Sequence, residues 1–336
     1  MKKSTLLTEV FVFLFFTASF ATTWRVNNNA NINANFTTLQ AAVTGAATGD
    51  TLIVEPSSTS YGTATITKKL TIIGNGSFLS NYPGLQFNNN GSIVNSLTFQ
   101  AGSQNSFITG ISALEIFIQT TNITVHRCRV EGGYIIVNAS NSIVSESWMG
   151  SGSGIYVQTN NLTNLYFQNN VIINGLIIIT SNSLSLIENN VVGGQASGYI
   201  SLNNSNSVLR NNILTSTSTS NLLDAGNADI QNNISGSNSL PTGNGNQNSV
   251  SMSNVFVTWP FSGTNDSHPQ LKAGSPAIDA GFYGNGDDIG AYNDGTNRPS
   301  YVPALIPPFP TIYALSVGGG GNNTTLDVTI STRSNN

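Results

Sequence analysis

The sequence predicts an all-β chain wound as a parallel β-helix, a solenoid of about 21 residues per coil with a short capping helix near its N-terminus. Two short apolar phrases alternate through the middle of the chain, and no helical periodicity separates them. The composition supplies the turns that such a coil needs. Of 336 residues 39% are hydrophobic, enough for a continuous core, but only 8% are charged, against roughly 25% in an average globular protein. The surface is covered instead by serine, threonine and 47 asparagines, with 33 glycines; Asn and Gly accept tight left-handed turns at little cost. Fifteen acids against eleven bases give a net charge of −4. No basic stripe exists to neutralise a phosphate backbone, so nucleic acid is excluded as a partner.

Residues 1–21 read as a secretory signal peptide. Lys2 and Lys3 form a basic start, Val10 to Phe16 an apolar run, and Ser19-Phe20-Ala21 a small-x-small cleavage site before Thr22. The apolar run is shorter than the roughly 20 residues of a membrane span, so a secreted or cell-surface protein with no integral membrane span after cleavage is expected. From Phe36 to Ala46, apolar Phe36, Leu39, Ala42 and Val43 recur at helical spacing. That helix is expected to cap the solenoid, since terminal coils need cover. Thr51–Pro56 and Leu70–Gly74 read as strands. Val94-x-x-Leu97-x-Phe99 reads as an early copy of the repeat, with an insertion before the next.

The repeat itself is a large apolar residue, two spacers, a small polar residue, one spacer and a further residue, usually apolar. Its polar members are Cys128, Ser147, Asn170, Asn190, Asn212 and Asn233. Stacked about 4.8 Å apart, they would form a ladder hydrogen-bonded from coil to coil; the role of the ladder, Cys128 included, is structural. The second phrase alternates Ile135 and Val137, Ile155 and Val157, Ile177 and Ile179, Ile200 and Leu202, a period-two strand signal. Residues 236–253 then read as a long loop.

A phrase follows from Leu271 to Gly281, Leu-Lys-Ala-Gly-Ser-Pro-Ala-Ile-Asp-Ala-Gly, and then Asp288-Ile289-Gly290-Ala291-Tyr292. With Leu39-Gln40-Ala41-Ala42 and Gly49-Asp50-Thr51-Leu52, it resembles secreted bacterial proteins of the pectate-lyase-like superfamily. The resemblance implies a right-handed parallel β-helix over residues 22–295, with a C-terminal closing region. Beyond it, 296–310 reads as a Pro-rich linker, with four prolines between Pro303 and Pro310, and 311–336 as a short β tail or an attachment segment.

Polysaccharide lyases of this fold, as the resemblance implies, abstract a proton with a basic side chain while calcium neutralises the substrate carboxylate. The matching candidates here are Arg127 and Arg129 as base or carboxylate clamp beside His126, with Glu146 and Glu131 as acid or ligand. Arg127, Glu146, Gln168, Glu188, Asn211 and Gln231 are expected along one outward surface, where a solvated ion-pair stripe is the plainer role. Asp279, Asp287 and Asp288 are the candidates for calcium, since hard cations want clustered oxygens; no other cofactor is expected. The polygalacturonase phrases Asn-Thr-Asp, His-Gly and Arg-Ile-Lys are absent. The leading expectation is therefore a non-catalytic protein that binds carbohydrate or another surface, with a polysaccharide lyase or glycoside hydrolase acting on extracellular glycans as the alternative. Tyr134, Trp148, Tyr156, Tyr166 and Tyr199 recur along the repeats and would stack on sugar rings if they face solvent.

Overall fold

The structure, a computed structural model, describes residues 21–194, 197–218, 221–261, 265–284, 286–293, 299–319 and 326–335. The expected signal peptide falls almost wholly outside them. No helix among the described residues is long and apolar enough to cross a membrane.

The repeats fold into a parallel β-solenoid with two sheets. Ten strands, from Thr23–Val26 to Asp229–Gln231, make the first sheet, and fourteen make the second. In the first, Ile108, Val125, Val144, Phe167, Ile187, Leu209 and Ile230 lie in register and point inward. In the second, Ile116, Ile135, Ile155, Ile177 and Ile200 do the same. Both columns meet in one core. β-Branched side chains suit this pleated, buried surface, and period-two alternation leaves the neighbouring residues outside.

Between the sheets the chain turns through one left-handed residue per coil: Arg127, Glu146, Asn169, Asn189, Asn211 and Asn232, with φ between 48° and 57°. Asn visits this conformation more readily than other residues with a Cβ. The next residue is the ladder. Cys128 N donates to Ser147 Oγ (3.1 Å), Ser147 N to Asn170 Oδ1 (3.0 Å), Asn170 N to Asn190 Oδ1 (2.9 Å), Asn190 N to Asn212 Oδ1 (3.0 Å) and Asn212 N to Asn233 Oδ1 (2.9 Å). The ladder reaches one step past the expected repeats, since Asn233 N donates to Asn246 Oδ1 (3.0 Å).

Two sequence expectations change. Val94, Leu97 and Phe99 belong to the second sheet, where Leu97 pairs with Ile116 and Phe99 with Ile118. The missing first-sheet copy is Ile108-x-x-Ile111-x-Ala113, with Ile108 beside Val125; apolar Ile111 at the ladder position conceals it. The N-terminal helix spans Leu39–Gly45, and Thr38 Oγ1 accepts from Ala41 N (3.2 Å) at its start. Its Leu39, Ala42 and Val43 pack into the core with Ala64 and Ile66.

The C-terminal region runs along the flank of the solenoid. Trp148, Val171, Val191, Ile213 and Ile234 form an outward column of the second sheet. Met252, Phe256, Ala277, Ile289, Ala291 and Tyr301 cover it in a second core. At Gly290, with φ 105°, a Cβ would meet Ile213 Cδ1 at 2.6 Å; only glycine allows this approach. Buried Asp266 pins the segment by accepting from Tyr82 Oη (2.7 Å), Tyr301 Oη (3.2 Å) and Ala304 N (2.7 Å). Burial pushes its carboxyl above the usual range despite these donors. The described part of the proline segment is packed, with Ala304, Leu305 and Ile306 buried and Ala304 O accepting from Ser77 N (2.8 Å). The tail is an antiparallel hairpin of Thr311–Gly319 and Leu326–Arg333, held at its base by Phe87 N on Ile312 O (3.3 Å) and Arg127 Nη1 on Asn335 O (3.3 Å).

Candidate functional site

The outer face of the second sheet gathers three of the five expected aromatics. Tyr134, Gly154, Leu176 and Tyr199 occupy one outward column on successive strands. Phe117, Ile136, Tyr156 and Ile178 occupy the next. All four aromatic rings are partly exposed. Tyr134 and Tyr156 meet edge to face at 6.5 Å. Tyr134 and Tyr199 stand three strand steps apart, about 14 Å along the axis. Gly154 between them is required, because a Cβ there would lie 1.9 Å from Leu176 O. The missing side chain leaves Leu176 as the side chain between the two tyrosines in this column. Phe117, unremarked in the sequence, joins the strip through its register with Ile136.

Trp148 departs from the expected row. It is only 2% exposed and lies edge to face with Phe78 at 5.0 Å, inside the second core. Its outward column is the one the C-terminal region covers. Tyr166 is exposed but sits on the first sheet, paired with Ile143. There it shares an outward column with Phe107, Thr124 and Ile143, in a groove of about 670 Å³ edged by Asn105, Asn122, Asn141 and Asn164.

Arg129 and Glu131 line a cleft of about 510 Å³ between Phe78–Asn81, Asn89–Gly91 and Ser112–Leu114. The two side chains form an ion pair. The Arg129 guanidinium lies 4.5 Å from the Phe78 ring centre and 5.4 Å from that of Trp148. Its Nε is buried without a hydrogen-bond partner among the described residues. This is the nearest arrangement to the expected carboxylate clamp, a cation held on two aromatic faces.

Arg127 is committed elsewhere. Its Nε donates to Glu146 Oε2 (2.8 Å) and its Nη1 to Ile306 O (2.9 Å). His126 Nε2 lies 3.3 Å from Glu146 Oε1. Burial alone would push Glu146 up, but the His126 hydrogen bond and the charges of His126 and Arg127 hold its carboxyl below the usual range. Both Arg127 and Glu146 occupy left-handed corners that later coils give to asparagine, so this buried pair is a clasp on the C-terminal segment. Nor do the expected outward charges form one stripe. Glu146 lies in the corner row, whereas Glu188 lies in register with Gln168 and Arg210. Glu188 accepts from Arg210 Nε (2.7 Å), Gln168 Nε2 (3.0 Å) and Tyr283 Oη (3.1 Å).

The three aspartates do not fit calcium. Asp288 Oδ1 accepts from Asp279 N (2.9 Å), while Asp287 Oδ2 accepts from Asn211 Nδ2 (2.8 Å) and Tyr283 N (3.1 Å). Asp287 and Asp288 are buried and Asp279 is exposed. The Asp287 carboxylate ties the closing segment to the solenoid through Asn211, and among the described residues no three acidic, His or Cys side chains are placed to hold a metal ion.

No family of known proteins matches the chain, and no curated protein matches it. Among solved structures it is similar to the crystal structure of pectate lyase Pel9A, at 14% identity, over 82% of this chain and 97% of that one, with a TM-score of 0.45. At that level the likeness says nothing about activity, and the solenoid rests on the strand pairing above.

Proposed function

We propose that this is a secreted or cell-surface, non-catalytic β-helix protein that binds a neutral, extended polysaccharide along the outer face of its second sheet. The observation that supports it is the strip of Tyr134, Tyr156 and Tyr199 with Phe117, repeated at strand spacing. An extended pyranose chain advances by about one strand spacing per ring. A chain laid parallel to the axis therefore keeps step with the coils, and its apolar ring faces stack on the aromatic side chains that four of five successive strands present. The test is sedimentation with insoluble xylan, mannan and cellulose. The Tyr134→Ala/Tyr199→Ala variant is expected to bind about tenfold more weakly, from two lost stacking contacts. Unchanged binding by that variant would defeat the proposal.

Polysaccharide cleavage is a second reading, favoured by one observation: the Nε of Arg129, buried without a hydrogen-bond partner among the described residues, beside Glu131 in the cleft. It requires new reducing ends, or absorbance of unsaturated products, from a polysaccharide panel, lost in Arg129→Ala. Products that persist in this variant would remove Arg129 from any such chemistry.

A further inference from the structure

The first sheet carries an aromatic strip that this function leaves unused. Phe107 and Tyr166 lie in one outward column, with Thr124 and Ile143 on the strands between them. They too are three strand steps apart, about 14 Å, the same interval that separates Tyr134 from Tyr199 on the second sheet. We infer that this groove is a second site for the same ligand class, a neutral extended glycan, so that one molecule holds two polysaccharide chains. The inference rests on the glycan-binding reading of the second sheet.

Three features of the groove select this ligand. No Asp, Glu, Lys or Arg lines it, so it offers no counter-charge to an anionic chain. Its edge is a row of exposed asparagines, one per coil: Asn105, Asn122, Asn141 and Asn164. Each has a φ between 56° and 64°, which fixes its corner and repeats amide donors and acceptors at strand spacing. Asn164 Nδ2 already donates to Asn141 Oδ1 (2.8 Å), which joins two members of the row across adjacent coils. Amides of this kind match sugar hydroxyls, which both donate and accept. Finally, His126 lies 5.7 Å from the Phe107 ring centre, tilted by 35°, and backs that ring along the sheet.

The two strips cannot serve a single stiff chain. The inward side chains of both sheets meet in one core, so their outer faces look away from each other. Two sites facing apart make the solenoid a cross-link between chains, in which the second attachment gains from the first through effective concentration.

Calorimetric titration with xylohexaose, cellohexaose and mannohexaose tests this. For the sugar that binds, two molecules per chain are expected, falling to one in Phe107→Ala/Tyr166→Ala and to one in Tyr134→Ala/Tyr199→Ala. A Phe107→Leu/Tyr166→Leu variant, which keeps apolar bulk without ring faces, is expected to lose the same site. All these side chains face outward, so the urea midpoints should stay at the wild-type value. With a long soluble polymer of the same sugar, the wild type is expected to raise light scattering and each double variant to bind without doing so. Wild-type stoichiometry and scattering in both first-sheet variants, with binding lost in the second-sheet variant, would overturn the second site and leave the proposed function standing. A wild type that binds no hexaose and no polymer would overturn both.

Discussion

The side chain of Asn190 spans three coils at once. Its Nδ2 donates to Phe167 O (2.8 Å) on one side and to Asn212 Oδ1 (2.9 Å) on the other, while its Oδ1 accepts from Asn170 N and Nδ2 (2.9 Å each). All of these groups are fully buried, where an unpaired donor costs about 1–3 kcal/mol. Asn190→Ala is therefore expected to destabilise the solenoid by about 3 kcal/mol, read from urea unfolding; a loss below about 1 kcal/mol would mean that water replaces the amide. Asn189, in the preceding left-handed corner, should tolerate Gly, while Ala costs about 1 kcal/mol because it keeps the Cβ and lacks the short polar side chain that makes this conformation accessible to Asn. At the head of the ladder, Cys128 is fully buried, and burial pushes its thiol up to about 12. Thiolate chemistry needs a lowered value and access, so a disulfide reagent at neutral pH should leave the folded protein unmodified and label it once in denaturant. Rapid native labelling would contradict this burial.

At the scale of elements, the clasp of Arg127, Glu146 and His126 joins the first sheet to the proline segment and the base of the hairpin. Glu146 is held below its ordinary value in the folded state. A depressed carboxylate adds stability that is complete above its unfolded value, about 4.3, and that disappears as pH falls through the folded value. Glu146→Gln should thus cost about 3 kcal/mol at neutral pH, because it strands a buried guanidinium, and progressively less in acid. Urea midpoints for both proteins at neutral and acidic pH measure the difference; a gap that does not narrow in acid would assign Glu146 no part in acid unfolding. The clasp also shows where sequence reasoning stops. The ladder and both strand phrases were legible because stacking imposes one residue type per position, and the register followed from their spacing. Arg127 and Glu146 were visible only as charges near a ladder, since the backbone partners that bury Arg127, Ile306 and Asn335, lie far along the chain. Trp148 misled for the same reason. Its column looks outward from the repeats, and only the returning C-terminal region decides that it is buried. Phe107 was missed because the apolar Ile111 hides its copy of the repeat.

For the whole molecule, low charge is the property that ties surface to function. The few charged groups along the solenoid are largely paired with one another: Arg25 with Glu55, Arg127 with Glu146, Arg129 with Glu131, Arg210 with Glu188. Tyr134, Tyr156 and Tyr199 offer stacking faces, and the groove beside Phe107 and Tyr166 has no Asp, Glu, Lys or Arg in its lining. Screening acts on charge pairs and leaves ring stacking and amide hydrogen bonds nearly untouched. Binding to a neutral polysaccharide should therefore hold within about twofold from about 0.05 M to about 1 M sodium chloride, whereas attraction between opposite exposed charges would weaken steadily over that range. Sedimentation with the insoluble polymer at several salt concentrations decides the matter. A steep decline would place the ligand on exposed charge, with the Arg129 and Glu131 cleft as the first region to mutate. A flat response that is about tenfold weaker in the Tyr134→Ala/Tyr199→Ala variant would join the aromatic strip to the uncharged surface in a single account of why so polar a solenoid carries so few ions.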